Sequence, residues 1–285
     1  MTNPGQEHRV TLPQGEVRYY ESGAGQPVVF VHGVLVNALL WRKVVPDVAA
    51  AGFRCIAPDL PLGSHEIPMR ADADLTPTGL ADLLADFLEA LDLRDVILVG
   101  NDTGGALSQI MLSRRPERVA RVVLLPSDSF EYFFPPIFKP LPKIAKLPGS
   151  TALLARFLQV KALHRLPMLF GWVTKRPVPP EIADAYFTPV LRSAGVRRDL
   201  RKFLRAVDPK YTLEAAEKLR TFDRPVLLLW ASEDKLFPIR FAQRLAALLS
   251  DVRLVEVADA YTFIPEDKPQ AVVRHIVEFA GVMAD

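Results

Sequence analysis

Six runs rich in valine, leucine and isoleucine punctuate the chain, at 28–31, 54–57, 96–99, 119–125, 226–230 and 252–257. Each is nearly continuous rather than alternating, the pattern of strands buried on both faces of a parallel sheet. Between these runs the apolar period changes. Leucines at 80, 83, 84, 88 and 91 share one helical face, and 241–249 and 270–279 repeat that spacing. Strand alternating with helix predicts an α/β protein built on a doubly wound, mostly parallel sheet. The stretch 16–21, with Val17, Tyr19 and Tyr20, reads as part of a leading antiparallel hairpin.

The alternation stops from about Phe130 to Ala215. That stretch opens on Pro135, Pro136, Pro140, Pro142 and Pro148 and is otherwise helical in pattern. The expected organisation is a core formed by 1–129 and 216–285, with 130–215 as a helical cap. Such a cap would lie over the carboxyl edge of the sheet, where open α/β sheets bind ligands. Its charge is lopsided: fifteen Lys and Arg against six Asp and Glu, a local +9 set against −7 for the remainder. Either the basic residues are solvated helix faces, or the cap is an electropositive lid that attracts an anionic substrate or an acidic partner.

Composition narrows the function less than pattern does. The chain has 285 residues, 49% of them hydrophobic and 24% charged, with a formal net charge of +2. That charge by itself implies neither a nucleic-acid nor a membrane partner. The single cysteine, Cys55, lies in an apolar run and reads as a small buried residue. No secretory signal and no membrane-spanning run are legible, so a cytoplasmic location is expected. No metal-ligand cluster or cofactor fingerprint is visible, and neither a metal nor a cofactor is expected.

The strongest local signal is Gly100-Asn101-Asp102-Thr103-Gly104-Gly105, after the run 96–99 and before a helical run from Ala106 to Arg115. This is the strand–turn–helix pattern of a nucleophile elbow, with Asp102 in the nucleophile position. So tight a turn needs small flanks. It also sets the central side chain beside backbone amides at a helix N-terminus, which stabilise developing negative charge. The spacing is not that of a dinucleotide-binding loop.

With His32-Gly33-Val34 after the run 28–31, the chain resembles the α/β-hydrolase superfamily, in its aspartate-nucleophile branch of haloalkane dehalogenases and epoxide hydrolases. The resemblance implies an oxyanion site at the Val34 and Thr103 amides, with His32 structural. It also implies a helix around Leu40-Trp41-Arg42 and a loop at Asp59-Leu60-Pro61-Leu62-Gly63-Ser64. The family's acid follows a later strand; Asp234, in Leu228-Leu229-Trp230-Ala231-Ser232-Glu233-Asp234, is the first candidate and Asp128 the second. His32, Gly33, Trp41, Thr262 and Phe263 are expected around the substrate pocket.

One position departs from the family. Its histidine precedes a phenylalanine after the last strand, and Thr262-Phe263 stands there instead. The Asn-Asp-Thr-Gly-Gly elbow with Tyr261-Thr262-Phe263 resembles a subgroup that lacks the usual histidine. His65, after the Gly63-Ser64 loop, is the remaining candidate base, against the plainer reading of a loop histidine. Two further departures weigh against dehalogenation. The family's halide-binding asparagine and tryptophan are Val34 and Thr103 here, and neither side chain offers an amide or indole N–H. Epoxide hydrolases use cap tyrosines, for which Tyr132, Tyr186 and Tyr211 are available.

These features point to a hydrolase-like enzyme acting on a small, largely apolar molecule at an ester, epoxide or carbon–halogen bond. Asp102 would be nucleophile or base and Asp234 an orienting acid. Two rivals remain: lyase, isomerase or cyclase chemistry with Asp102 as proton acceptor, and a ligand-binding or interaction protein on a degenerate scaffold.

Overall fold

The apolar runs form strands because β-branched and leucine side chains fill both faces of a pleated surface. In the computed structural model, which describes residues 3–281, they assemble one eight-stranded sheet. Residues 1–2 and 282–285, the outer ends of the expected core segments, lie outside the described residues. The strands are β1 (Gln6–Leu12), β2 (Gly15–Ser22), β3 (Gln26–Val31), β4 (Phe53–Pro58), β5 (Val96–Gly100), β6 (Val119–Leu124), β7 (Val226–Ala231) and β8 (Val252–Val257). Their order across the sheet is β1-β2-β4-β3-β5-β6-β7-β8. β1 pairs antiparallel with β2, and β2 with β4; every other pairing is parallel. The central β5 and β7 are buried along their whole length, while the edge strand β8 is only partly covered.

Eleven α-helices are described: α1 (Val45–Ala50), α2 (Pro77–Ala90), α3 (Thr103–Leu112), α4 (Leu141–Ile144), α5 (Ser150–Leu158), α6 (Pro180–Arg192), α7 (Ala194–Ala206), α8 (Pro209–Leu219), α9 (Arg240–Ala246), α10 (Ile264–Asp267) and α11 (Pro269–Gly281). Helix α2 starts cleanly because the Thr76 hydroxyl accepts from the Gly79 amide and Pro77 opens the first turn. Helices α2, α3 and α8 pack side by side, and α1 packs against α11. Helices α4 to α7 occupy the segment between β6 and β7. Residue 215 falls inside α8, which rests on α3.

Two buried ion pairs pin the loops at the carboxyl ends of the strands. Arg18 Nε donates to Asp59 Oδ2 at 2.7 Å, and Asp59 Oδ1 accepts from the Ala38 amide at 2.9 Å. Arg42 forms a forked pair with Glu266, the geometry in which guanidinium and carboxylate bind best. Asp267 accepts from Thr174 Oγ1 and the Lys175 and Arg176 amides, each at 2.9 Å, tying the segment after α5 to the chain end. Cys55 is free and buried. No described helix is long and apolar enough to cross a membrane.

The strand order dictates where a ligand can sit. The chain leaves β3 for β4 on one side, then returns to β5 on the other. Between β3 and β5 the connections diverge, opening a crevice at the carboxyl ends of the strands. His32-Gly33-Val34 leaves β3 at that crevice and Asn101-Asp102 leaves β5, with Val31 and Gly100 in register.

Candidate active site

Asp102 sits between β5 and α3 with φ 56° and ψ −133°. A non-glycine residue holds that conformation only where its surroundings enforce it. Here the Asp102 amide donates to the Pro126 carbonyl at 2.8 Å, and the Asp102 carbonyl accepts from the Gly105 amide at 3.0 Å. The flanking glycines are a matter of space. A methyl group on Gly104 would lie 2.4 Å from the Val31 and His32 carbonyl oxygens, and one on Gly33 would lie 2.1 Å from Asp102 Oδ2. The carboxylate therefore rests directly on the Gly33 backbone.

The Thr103 and Val34 amides face the Asp102 carboxylate and favour its charged form. Burial acts the other way and dominates, with the negative charge of Asp234 adding to it, so Asp102 is pushed up to about 7. Its free side opens on a cavity of about 120 Å³. Among the described residues, Asp102 is the only polar side chain on that cavity; the rest of the wall is aliphatic and aromatic, with Phe134, Phe138, Phe157, Phe170 and Phe187 from the 130–215 segment. Among the described residues no lysine or arginine lines it, so none of the segment's basic side chains contacts a ligand there.

Two further carboxylates surround Asp102. Asp234, after β7, accepts from the Leu236 amide at 2.8 Å, the Phe237 amide at 2.7 Å and Thr262 Oγ1 at 3.1 Å, all on Oδ1. Its Oδ2 is buried with no partner. Burial outweighs those three donors and pushes Asp234 up to about 7. Asp128, after β6, is fully buried; its Oδ2 accepts from Thr103 Oγ1 at 3.2 Å and its Oδ1 has no partner. Burial, reinforced by the charge of Asp102, holds Asp128 well above its ordinary value. The choice between Asp234 and Asp128 therefore does not arise as an exclusion, since both stand within electrostatic reach of Asp102.

The five histidines of the chain lie elsewhere. His32 is buried, accepts from the Leu60 amide on Nε2 at 2.8 Å and so donates from Nδ1 to the Gly33 carbonyl, also at 2.8 Å. Burial lowers its proton affinity and keeps it neutral. His65 is not brought to Asp102. Its Nδ1 accepts from the Gly63 amide at 3.4 Å, its Nε2 meets Asp199 of α7 at 3.3 Å, and it does not line the cavity. Both nitrogens being engaged, it joins the 130–215 segment to the core instead. His164 packs behind Phe170 and Phe187, His8 stacks on Tyr19, and His275 lies on α11.

Of the residues expected around the pocket, Phe263 lines the cavity, whereas His32, Gly33, Trp41 and Thr262 do not. Trp41 is buried against Phe30, a core role. Thr262 is spent on Asp234, and its carbonyl accepts from Asn101 Nδ2 at 2.9 Å. Asn101, which also donates to the Pro126 carbonyl at 3.0 Å, thus braces the elbow; its position beside Asp102 was the only hint in the sequence. The three tyrosines are also turned away. Tyr186 is buried, Tyr132 packs on Phe241, and Lys210 lies over Tyr211, with none of them on the cavity. The phenylalanine wall was not predicted, although aromatic density at 130–138 was its available signal.

A family model described as the alpha/beta hydrolase fold matches residues 26–269. A cis-3-alkyl-4-alkyloxetan-2-one decarboxylase of Shewanella oneidensis is 27% identical over 97% of this chain and 88% of its own. A haloalkane dehalogenase 2 of Mycobacterium tuberculosis is 28% identical over 94% of this chain and 92% of its own. The crystal structure of the haloalkane dehalogenase DbeA from Bradyrhizobium elkani shares the fold, with a TM-score of 0.80, 23% identity and coverage of 98% of this chain and 99% of that one.

Proposed function

This chain belongs to the alpha/beta hydrolase fold family, and from that premise we propose that it is an enzyme in which Asp102 attacks an electrophilic carbon of a small, apolar molecule. One observation carries the reading: Asp102 is the only polar side chain, among the described residues, on an otherwise apolar cavity. An ionised carboxylate needs no base to attack. One of its oxygens bonds to the carbon, the leaving group departs with the bonding pair, and Asp102 is left as an ester where the carbon is saturated, or as a mixed anhydride where it is the acyl carbon of an ester. The Val34 and Thr103 amides hold the carboxylate in the ground state. They would also hold the oxyanion when water adds to that ester.

Among the described residues the site offers a departing halide no side-chain donor, and an oxygen leaving group would take its proton from water. Val34 has no side-chain donor, and the Thr103 hydroxyl is committed to Asp128. Release of the ester calls for a base that activates water. With Thr262 in the family's histidine position, we assign that role to Asp234. Its Oδ2 is free, and a value of about 7 suits proton exchange near neutrality. Burial and the charge of Asp102 both disfavour a further negative charge on Asp128.

A second reading rests on the same threonine. An ester that leaves without water needs no imidazole. The Shewanella relative is named for loss of carbon dioxide from a four-membered lactone. On such a ring, Asp102 would bond to C4 as the ring C4–O bond breaks, leaving a carboxylate on C3. The C3–carboxylate bond then breaks, its pair forms the alkene, carbon dioxide departs, and the C4–Asp102 bond returns its pair to Asp102.

The test is turnover of apolar esters, epoxides, alkyl halides and a 3,4-dialkyl oxetan-2-one in ¹⁸O-water, with intact mass and the Asp102 peptide followed together. Hydrolysis through the ester puts ¹⁸O into the Asp102 carboxylate; lactone decarboxylation gives alkene without it. Product dependent on Asp102 but with neither ¹⁸O nor adduct would favour a proton-acceptor role instead. Undiminished turnover by Asp102→Asn, or silence across the panel, would overturn the proposal.

A further inference from the structure

The 130–215 segment carries a surface that the cavity does not use. Of the seven large hydrophobic side chains exposed among the described residues, six fall between 144 and 166: Ile144, Leu147, Leu153, Phe157, Val160 and Leu166. Leu153 is 70% exposed and Leu147 60%. On α5 the residues Thr151, Ala155 and Leu158 face inward, while Leu153, Phe157 and, one turn on, Val160 face out. A concentration of bare apolar side chains on one element marks a contact surface rather than incidental exposure.

Charge says what kind of partner it fits. Residues 132–180 contain eight lysines and arginines and no aspartate or glutamate. Lys161 pairs with Asp184 of α6 at 2.9 Å, and Lys175 and Arg176 bind acidic residues near the chain end. Lys139, Lys143, Lys146, Arg156 and Arg165 have no acidic partner among the described residues. Apolar side chains that can sink below the headgroups, ringed by unpaired cations, match an anionic lipid surface. A second copy of this chain would bring the same cations against each other. The formal net charge of +2 for the whole chain hides this because acidic residues elsewhere offset it.

The surface also adjoins the cavity. Leu154 and Phe157 line the cavity wall, and Phe157 is at the same time 36% exposed on the patch. We propose that helices α4 and α5 and the turn after them dock on an anionic bilayer, so that apolar molecules dissolved in the membrane enter at Phe157. The docking holds whatever the chemistry at Asp102, because it rests on the outer face, and the entry route rests on Phe157 being shared by that face and the cavity wall.

The test is co-sedimentation of the full chain with vesicles of mixed phosphatidylglycerol and phosphatidylcholine, against phosphatidylcholine alone, at low and high salt. Each cation near the surface favours partitioning by about five-fold, so binding to the anionic vesicles is expected to exceed neutral binding by more than tenfold and to fall in high salt. Leu147→Glu with Leu153→Glu, and separately Lys143→Glu with Lys146→Glu, should each cut binding while leaving circular dichroism unchanged. Absent binding, equal binding to neutral vesicles, or binding unaffected by either double variant would overturn the proposal. So would a dimer in sedimentation velocity that Leu153→Glu dissociates, since a second copy would then be the occupant.

Discussion

Replacing Thr262 by histidine asks whether an imidazole at that position would speed release of the proposed Asp102 ester. The surroundings are prepared for it. The Thr262 carbonyl is held by Asn101 Nδ2 at 2.9 Å, so the backbone stays anchored beside the elbow whatever the side chain. The hydroxyl lost is one of three donors to Asp234 Oδ1, while Asp234 Oδ2 has no partner and can accept from an imidazole N–H. Thr262 is fully buried, so the larger ring overpacks the site at a cost of about 1–3 kcal/mol. For a domain of this size that lowers the melting temperature by roughly 2–12 °C. Asp234 does not itself line the cavity, so an imidazole set between it and the ester is the better placed base, and the gain is bounded by the about 10²–10⁴-fold that a positioned general base supplies. The assay is a pulse with a small apolar epoxide followed by a chase, reading the lifetime of the Asp102 adduct by intact mass. Thr262→His should shorten that lifetime within this range; Thr262→Asn, which enlarges the side chain without supplying such a base, should not. A folded Thr262→His protein whose adduct decays at the parent rate would refute the reasoning.

Because burial pushes Asp102 up to about 7, and only the carboxylate attacks, adduct formation should rise about tenfold per pH unit below that value and level off above it. A profile already flat from pH 5 upward would mean an ordinary carboxylate. Asp234→Asn should separate two steps in opposite directions. Removing the neighbouring charge speeds adduct formation near pH 7, where Asp234 begins to ionise and Asp102 is still partly protonated, while loss of the base slows release by about 10²–10⁴-fold; slowing of both would show a structural role. Asp128→Asn should stabilise the fold more at pH 8 than at pH 5, read by melting temperature. The folded-state value lies above the unfolded one, so the stability contributed by protonated Asp128 is complete below the unfolded value and is lost as pH rises through the folded one. Asparagine keeps the neutral form at every pH, and an equal gain at both pH values would contradict the assignment.

The reach of sequence reasoning differs among these residues for physical reasons. The strands were legible because a strand buried on both faces must be apolar at nearly every position, as β5 is. The elbow was legible because a turn that sets Asp102 against Gly33 and Gly104 against β3 tolerates nothing larger than glycine at those contacts. His65 was misplaced as a candidate because its partner, Asp199, is 134 residues away, and no local pattern records that pairing. Trp41 was expected at the pocket from its place beside the His32 loop, yet its ring turns into the core against Phe30. The tyrosines and phenylalanines of the 130–215 segment looked equivalent as residue types. Only packing separates Tyr186, buried away from the cavity, from Phe187, which lines it one residue later.

What the sequence determined by itself was the order of strands and helices and the residue at the elbow, because both follow from constraints between near neighbours. It also placed a threonine beside Phe263, at position 262. Tertiary structure alone decided which groups meet. It brought Asp128 and Asp234 within electrostatic reach of Asp102 while leaving one oxygen of each without a partner, occupied both nitrogens of His65, turned five phenylalanines of the 130–215 segment onto one cavity and left Leu147 and Leu153 facing outward. Those outcomes depend on contacts between elements far apart in the chain, whose geometry comes from the strand order and the packing of helices above it rather than from any local pattern.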